Sequence, residues 1–476
     1  MKSRFRRVAA AALCTAVVLG VTGLAPGTAS AAPTPAGGTR ADFNGDGYAD
    51  IAISAPAATV NGLKKAGAVT VLYGSADGYA TANSATVSQA APGVPGDPAA
   101  ERRWGYLGGN GDLDGDGYDD LIVYEGWSWT VLWGSAEGLN GGTELPFGSS
   151  TPGSLSFYNS SAGIGDVDGD GAADLVAPAA VGYEQYGVAV LHGPVSRAGV
   201  PRKTVFRHTA AVDGGYTPST LSVGDVTGDG VADVVTGGTI KPGGAPSGLL
   251  YVGSAAGLTP GGTLRRDVSS AFGDINGDGY QDFASGDGDV TTQTPGGVVY
   301  VTYGGPDGVS RTLAPRTFTQ ATPGVPGTDE KSDRFGDSVA LGDTDGDGYA
   351  DLVIGTPGET GTDAVTTSGA GAITVLRGGP DGVTTAGARS FTQNTEGVPS
   401  TSEVSDHFGS AVLVTDGRGG GAPEVFVGGN GEDGWLGRVW RLPATAGVTG
   451  VGSTSFNGGD LAGVSGAAHV GEQFSH

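Results

Sequence analysis

A nine-residue acidic motif recurs along this chain, and its recurrence restricts the possible fold more than any other feature. It reads DFNGDGYAD at 42–50, DLDGDGYDD at 112–120, DVDGDGAAD at 166–174, DVTGDGVAD at 225–233, DINGDGYQD at 274–282 and DTDGDGYAD at 343–351. A seventh, degenerate copy is DGRGGGAPE at 416–424. The copies start 70, 54, 59, 49, 69 and 73 residues apart, and 60 residues follow the last start. Self-similarity at this period in β-rich sequence points to a solenoid or a propeller.

Each repeat has the same internal order. An apolar run follows the motif at once, as in DIAISAP, DLIVYEG, DLVIGTP and EVFVGGN. A second run with a turn comes next (GAVTVLYGSADG, GAITVLRGGPDG), then a weaker third (PRTFTQ, ARSFTQ), then a fourth that leads into the next motif (DRFGDSVALG, DHFGSAVLV). Glycine, at 92 of 476 residues, supplies the turns, nearly three times its usual share of about 7%. Four short strands per repeat is the content of a propeller blade, so the sequence predicts an all-β, seven-bladed propeller with four-stranded antiparallel blades over 40–476. Too few residues precede Asp42 to supply an inner strand for the first blade. The terminal HVGEQFSH resembles the strands that open later blades, so residues near Phe474 are expected to close the ring.

The spacing within the motif suits a cation. Positions one, three, five and nine offer side-chain oxygens: Asp42, Asn44, Asp46 and Asp50; Asp112, Asp114, Asp116 and Asp120; Asp166, Asp168, Asp170 and Asp174; Asp225, Thr227, Asp229 and Asp233; Asp274, Asn276, Asp278 and Asp282; Asp343, Asp345, Asp347 and Asp351. Position seven can add the main-chain carbonyl of Tyr48, Tyr118, Ala172, Val231, Tyr280 or Tyr349. So many carboxylates in one turn repel unless a cation joins them. Oxygen ligands in this number suit Ca²⁺ better than Mg²⁺, which gives up its water reluctantly. No Cys or His lies within the motif, which argues against zinc. Up to six structural calcium ions are expected, with the Thr227 loop the weakest. Arg418 and Gly420 replace two ligands in the seventh loop, which is expected to hold no ion, with the Arg418 guanidinium facing Asp416 or Glu424.

Residues 1–31 have the parts of a secretory signal: Lys2, Arg4, Arg6 and Arg7, an apolar stretch through Leu24, and Ala29-Ser30-Ala31 for cleavage. A short linker, 32–39, would follow. Without the signal, 21 basic residues face 50 acidic ones, a net charge of −29, the wrong sign for a nucleic-acid partner. No later apolar run approaches the roughly 20 residues of a membrane-spanning helix. An exported, extracellular monomer is expected.

The combination of DxDGDGxxDLxxGxP, the glycine-flanked VxVLxG strand and an FG pair before the motif resembles the FG-GAP repeat of the integrin α-subunit propeller and its bacterial secreted relatives. The likeness is clearest at 324–359 and 396–414 and recurs in GVPGDPAAERRWGYLGG at 93–109. It implies a seven-bladed ring with calcium loops on one face and ligand binding, including adhesion, through loops on the other.

Catalytic motifs are missing: there is no G-x-S-x-G, H-E-x-x-H or P-loop. His407 takes the repeat position of Arg334, and His192 that of Tyr, Trp or Arg in other copies; His208, His469 and His476 have no nucleophile pattern beside them. Glu330 and Glu403 occupy equivalent places in different repeats and are not expected to act as a catalytic pair. Trp127, Trp129 and Trp133 share one side of a strand; packing between blades is favoured over a sugar platform. The expected function is an extracellular protein- or glycan-binding module, with a polysaccharide-active lyase or glycosidase as the rival.

Overall fold

A computed structural model describes residues 41–475, apart from 127, 148–154, 158–160, 183–184, 210–214, 241–245, 266–268, 289–294, 362–366 and 422. The signal and linker expected over 1–39, and Trp127 and His476, therefore lie outside the described residues.

Seven antiparallel sheets follow one another along the chain, each running from an inner to an outer strand in sequence order. The sixth is representative, with strands Ser338–Gly342, Asp351–Thr356, Ala372–Arg377 and Thr384–Phe391. Its second strand is buried at every position, whereas its outer strand is largely exposed. A strand covered on both faces carries a continuous apolar run rather than an alternating one, which accounts for DLVIGT and AITVLR beside the polar TTAGARSF. Successive side chains still point to opposite faces. Leu352 and Ile354 join a core with Val299 and Val301 of the preceding blade and with Phe335, which leads into the sixth blade's inner strand, while Val353 joins Val425, Val427 and Trp440 of the next. The hydrophobic core is thus a series of interfaces between blades.

Two blades depart from the pattern. In the third, Leu155–Phe157 and Gly163–Gly165 share the inner edge of Asp174–Val181. The fifth adds a two-residue hairpin, Gly304–Gly305 with Gly308–Val309.

The first blade has only three named strands, Ile51–Ala55, Ala68–Leu72 and Ser84–Val87. The end of the chain fills the inner place, as the sequence predicted: Phe474 bridges Ile53, Ser54 N–H donates to Gln473 O (3.0 Å), and Ser475 N–H donates to Ala52 O (2.9 Å). Phe474, only 4% exposed, packs in a cluster that holds Ile51 and Ile53 of the first blade and Phe426 of the seventh. No helix among the described residues is long and apolar enough to cross a membrane.

Truncating Phe474 to Ala should cost about 3–5 kcal/mol of stability, the usual range for a buried Phe. Urea unfolding of the two proteins measures it; an unchanged midpoint would remove the chain end from the stabilising core.

Candidate metal centres

From the second blade to the seventh, each acidic loop joins the inner strand to the second strand; in the first blade the loop leads directly into the second strand. The position-one carboxylate organises the turn by accepting main-chain N–H groups from positions four to six. Asp112 accepts from Gly115 (2.8 Å), Asp116 (3.0 Å) and Gly117 (3.0 Å), and Asp343 accepts from Gly346, Asp347 and Gly348. The position-five carboxylate accepts from position seven, as Asp46 does from Tyr48 N–H at 2.9 Å. In the first and fifth loops position four has no room for a side chain. A Cβ on Gly45 or Gly277 would lie 2.7 Å from the ring of Tyr118 or Tyr349, the position-seven residue of the next blade, and both glycines have positive φ.

The position-nine carboxylates are the most buried acids of the loops, at most 4% exposed. Each uses both oxygens on main-chain donors. Asp120 accepts Leu113 N–H at 2.9 Å and Gly134 N–H at 2.8 Å, joining the loop to the end of the third strand. Asp50, Asp174, Asp282 and Asp351 repeat this with Phe43 and Gly74, Val167 and Gly193, Ile275 and Gly304, and Thr344 and Gly378. In the fourth loop the donor moves on by one residue: Asp233 accepts Thr227 N–H and Gly253 N–H, both at 2.9 Å. These aspartates are therefore structural latches, a role the ligand spacing alone did not reveal.

The latch places the next contact. In all seven loops the position-two carbonyl accepts an N–H from the turn after the third strand of the following blade, at 2.7–3.2 Å. The series starts with Ser135 N–H to Phe43 O and ends with Ser75 N–H to Gly417 O, which joins the seventh blade to the first.

Charge at position three is handled in two ways. Where that residue is Asp, an arginine meets the loop. Arg197, reaching across from the third blade, lies 2.6 Å from Asp114 and 2.5 Å from Asp116 while covering the face of Trp133. Arg202 pairs with Asp170, and Arg377 lies 3.2 Å from Asp345. Where it is Asn, the amide serves its own loop: Asn44 donates to Asp46 (3.1 Å) and Asn276 to Asp278 (3.0 Å). At the four ligand positions, four carboxylates less one guanidinium, or three carboxylates alone, leave three formal negative charges, and the Thr227 loop also carries three; the loop at 112–120 adds Asp119. In the seventh loop Arg441 grips Glu424 with contacts of 2.8 and 3.0 Å, and the Arg418 guanidinium turns to Asp77 O at 3.4 Å. Glu424, one of the two acids the sequence assigned to Arg418, is thus met by Arg441.

The residues fit a divalent cation. One oxygen from each of Asp112, Asp114 and Asp120 lies within 4.8 Å of the others, and the same holds for Asp166, Asp168 and Asp170 and for Asp343, Asp345 and Asp347. Asp168 Oδ1 and Asp345 Oδ1 are buried without a hydrogen-bond partner. Oxygens with these spacings would hold the ion through positions one, three, five and nine, and the ion would supply the neutralising charge. The third loop also gains a nitrogen. His192 Nδ1, from the third strand of its blade, lies 2.9 Å from Asp168 and 3.4 Å from Asp174. A reading confined to the nine-residue motif missed it.

The other residues singled out in the sequence resolve as follows. Trp129 and Trp133 are 1% and 3% exposed and pack with Phe157, Ile164 and Leu175 of the third blade, so they serve the interface between blades. His208 stacks near Phe206, with ring centroids 6.3 Å apart. His407 and His469 flank Trp435, an association that repeat position did not suggest. Glu330 and Glu403 lie in successive inter-blade connections rather than facing each other as neighbours in one loop.

Burial pushes Asp50, Asp120 and Asp282 up to about 7 and Asp351 up to about 6; carboxylates of the same loop add to the rise and the donated N–H groups oppose it. A folded-state pKa above the unfolded value of about 3.9 means that the folded chain binds more protons between those limits, so metal-free stability falls as pH rises through that window. In EGTA the melting temperature should drop between pH 5 and pH 8, and millimolar CaCl₂ should restore most of it at pH 8; a flat profile in EGTA would contradict this. Asp120→Ala should cost roughly 1–3 kcal/mol for each of the two N–H groups it orphans, with or without calcium. Asp116→Asn should act mainly on the calcium-dependent part. Thermal melts of both variants in EGTA and CaCl₂ separate the two roles.

A family model described as the FG-GAP repeat matches residues 35–72 and 335–376, and one described as the FG-GAP-like repeat matches 112–177. No curated protein is matched by the chain. Among solved structures it is similar to a mutant Aleuria aurantia lectin in complex with alpha-methyl-L-fucoside (12% identity, 72% of this chain and 91% of that one, TM-score 0.34). It is also similar to the Dos1 propeller (12%, 70% and 70%, 0.35) and to the V. cholerae biofilm matrix protein Bap1 (12%, 89% and 81%, 0.28). Likenesses at this level carry no argument about function. The matched repeats span four of the acidic loops, and the remaining blades repeat their construction: the chain is a seven-bladed β-propeller that carries FG-GAP and FG-GAP-like repeats.

Proposed function

We propose that this protein is an exported, calcium-stabilised propeller that binds an extracellular glycan or protein through the face opposite its acidic loops. Antiparallel strands put the first-to-second connection of each blade at one end and the second-to-third connection at the other. Trp435 belongs to a connection of the second kind, between Glu424–Gly429 and Arg438–Pro443.

The observation that carries the reading is the state of Trp435. It is 42% exposed. It stacks on His469 with ring centroids 5.2 Å apart and meets the edge of His407 at 5.6 Å. Its φ is +72°, and those of Asp433, His407 and His469 are +54°, +58° and +56°. Bulky residues rarely adopt positive φ, and such strain concentrates at binding sites. An exposed indole braced by two imidazoles, with Asp433, Arg438 and Asn457 hydrogen-bonded beside it, offers a flat apolar surface with a polar rim. Sugar rings and aromatic side chains dock on such surfaces.

Calcium would act from the other face as a structural ion. At a free concentration about tenfold above the dissociation constant, each bound ion adds roughly 1.4 kcal/mol to folded stability. Glycan-array binding by the full chain, wild type and Trp435→Ala, in CaCl₂ and in EGTA tests the reading, with product release monitored alongside. Trp435→Ala should lose tenfold or more in affinity with its melting temperature unchanged. Equal binding by the variant, or turnover of the bound glycan, would overturn it.

A further inference from the structure

A second set of acidic residues lies at the other end of the strands. Glu330 and Asp333 belong to the connection between Arg316–Phe318 and Ser338–Gly342, and Glu359 to that between Asp351–Thr356 and Ala372–Arg377. One oxygen from each lies within 4.8 Å of the other two. Asp333 is 2% exposed and accepts Glu330 N–H at 2.8 Å; its own carbonyl accepts Gly358 N–H at 2.9 Å, which holds the two connections together. Arg334, next in the chain, is turned to Asp337 at 2.7 Å. The undescribed segments 289–294 and 362–366 contain no Lys, Arg or His.

A separate observation points to a ligand. Gln320 is 6% exposed, and its side-chain amide is aimed at the cluster, with Nε2 2.5 Å from Glu359 Oε2. Its Oε1 is buried without a hydrogen-bond partner, as are Asp329 Oδ1 on the same connection and the Oε1 atoms of Gln89 and Gln393 at the equivalent turns, so what sets this junction apart is its uncompensated charge. The two ends of an amide exchange by rotation about its last bond, so this one can present its oxygen to an ion beside Glu359.

The repeat supplies its own comparison. At the next junction Gln393, Glu403, Asp406 and Glu432 reproduce the arrangement, with Gln393 Nε2 2.5 Å from Glu432 Oε2 and Glu403 N–H 2.6 Å from Asp406. There, however, Arg438 stands 3.5 Å from Glu432, and Ser400 donates to it at 2.6 Å. At the first junction Arg102 takes the Asp333 position and pairs with Glu125 at 2.7 Å. At the ring closure Ala468 and Ala58 replace Asp333 and Glu359. Each of those junctions is balanced by a cation or by loss of charge. Among the described residues, the Glu330–Asp333–Glu359 junction is balanced by neither.

We infer that Glu330, Asp333, Glu359 and the Gln320 amide oxygen form an additional divalent-cation site, on the face opposite the acidic loops, that ties two surface connections together. Carboxylate and carbonyl donors select a hard ion, and oxygens up to 4.8 Å apart can share one Ca²⁺ at its usual bond lengths of about 2.3–2.6 Å. The site is separate in sequence and in face from the nine-residue motifs, so its occupancy can be counted apart from theirs.

Equilibrium dialysis of the full chain against ⁴⁵Ca²⁺, wild type and Glu330→Gln/Glu359→Gln, gives the count. The variant should bind one ion fewer per chain. Hydrogen exchange should show calcium-dependent protection over 319–337 in the wild type that is lost in the variant, while calcium-dependent protection over 343–351 persists. An unchanged count in the variant overturns the site. So does wild-type exchange over 319–337 that ignores calcium, a readout that holds even if the variant fails to fold.

Discussion

The ring depends on a buried carboxylate that spends both oxygens on main-chain N–H groups. The aspartate opening each second strand, from Asp50 to Asp351, ties its own loop to the end of the third strand. That bond sets the loop's conformation, and the loop's position-two carbonyl then meets the next blade. One residue type thereby joins turn, blade and ring. Burying a charged group costs free energy unless hydrogen bonds replace the lost water; here two donors offset part of that cost in each of these aspartates, and burial still raises Asp50, Asp120, Asp282 and Asp351.

The same arrangement creates the protein's main electrostatic problem. Six loops on one face each keep about three unneutralised carboxylates at their ligand positions, whichever residue stands at position three. Arg197, Arg202 and Arg377 trim the four-aspartate loops to the level of the others and no further. In the seventh loop Arg441 pairs with Glu424 instead.

On the opposite face the symmetry is broken. Equivalent positions hold Asp333, Asp406, Arg102 and Ala468, and the positive-φ residues that follow them include Arg334, His407 and His469. A ring of similar backbones carrying different side chains presents distinct surfaces at each junction. Loops on a rigid scaffold are where binding residues usually reside, and Trp435 stands at the junction of the seventh and first blades, braced by residues from both sides.

Much of this was legible in the chain itself. The motif period set the number of blades, the apolar runs marked the strands, and the resemblance of HVGEQFSH to later inner strands located the closure at Phe474. Trp129 and Trp133 were readable as packing because alternation along a strand is local. The arginines were not readable: Arg197 lies 83 residues from Asp114 and obeys no repeat, and His192 enters its loop from another strand. Turn chemistry and strand periodicity act between neighbours in sequence, so sequence alone determined the blades, their order and the acidic loops. Charge partners, the double use of the position-nine carboxylates and the exposure of Trp435 depend on which side chains the closed ring brings within a few ångströms, and only the tertiary structure decided those.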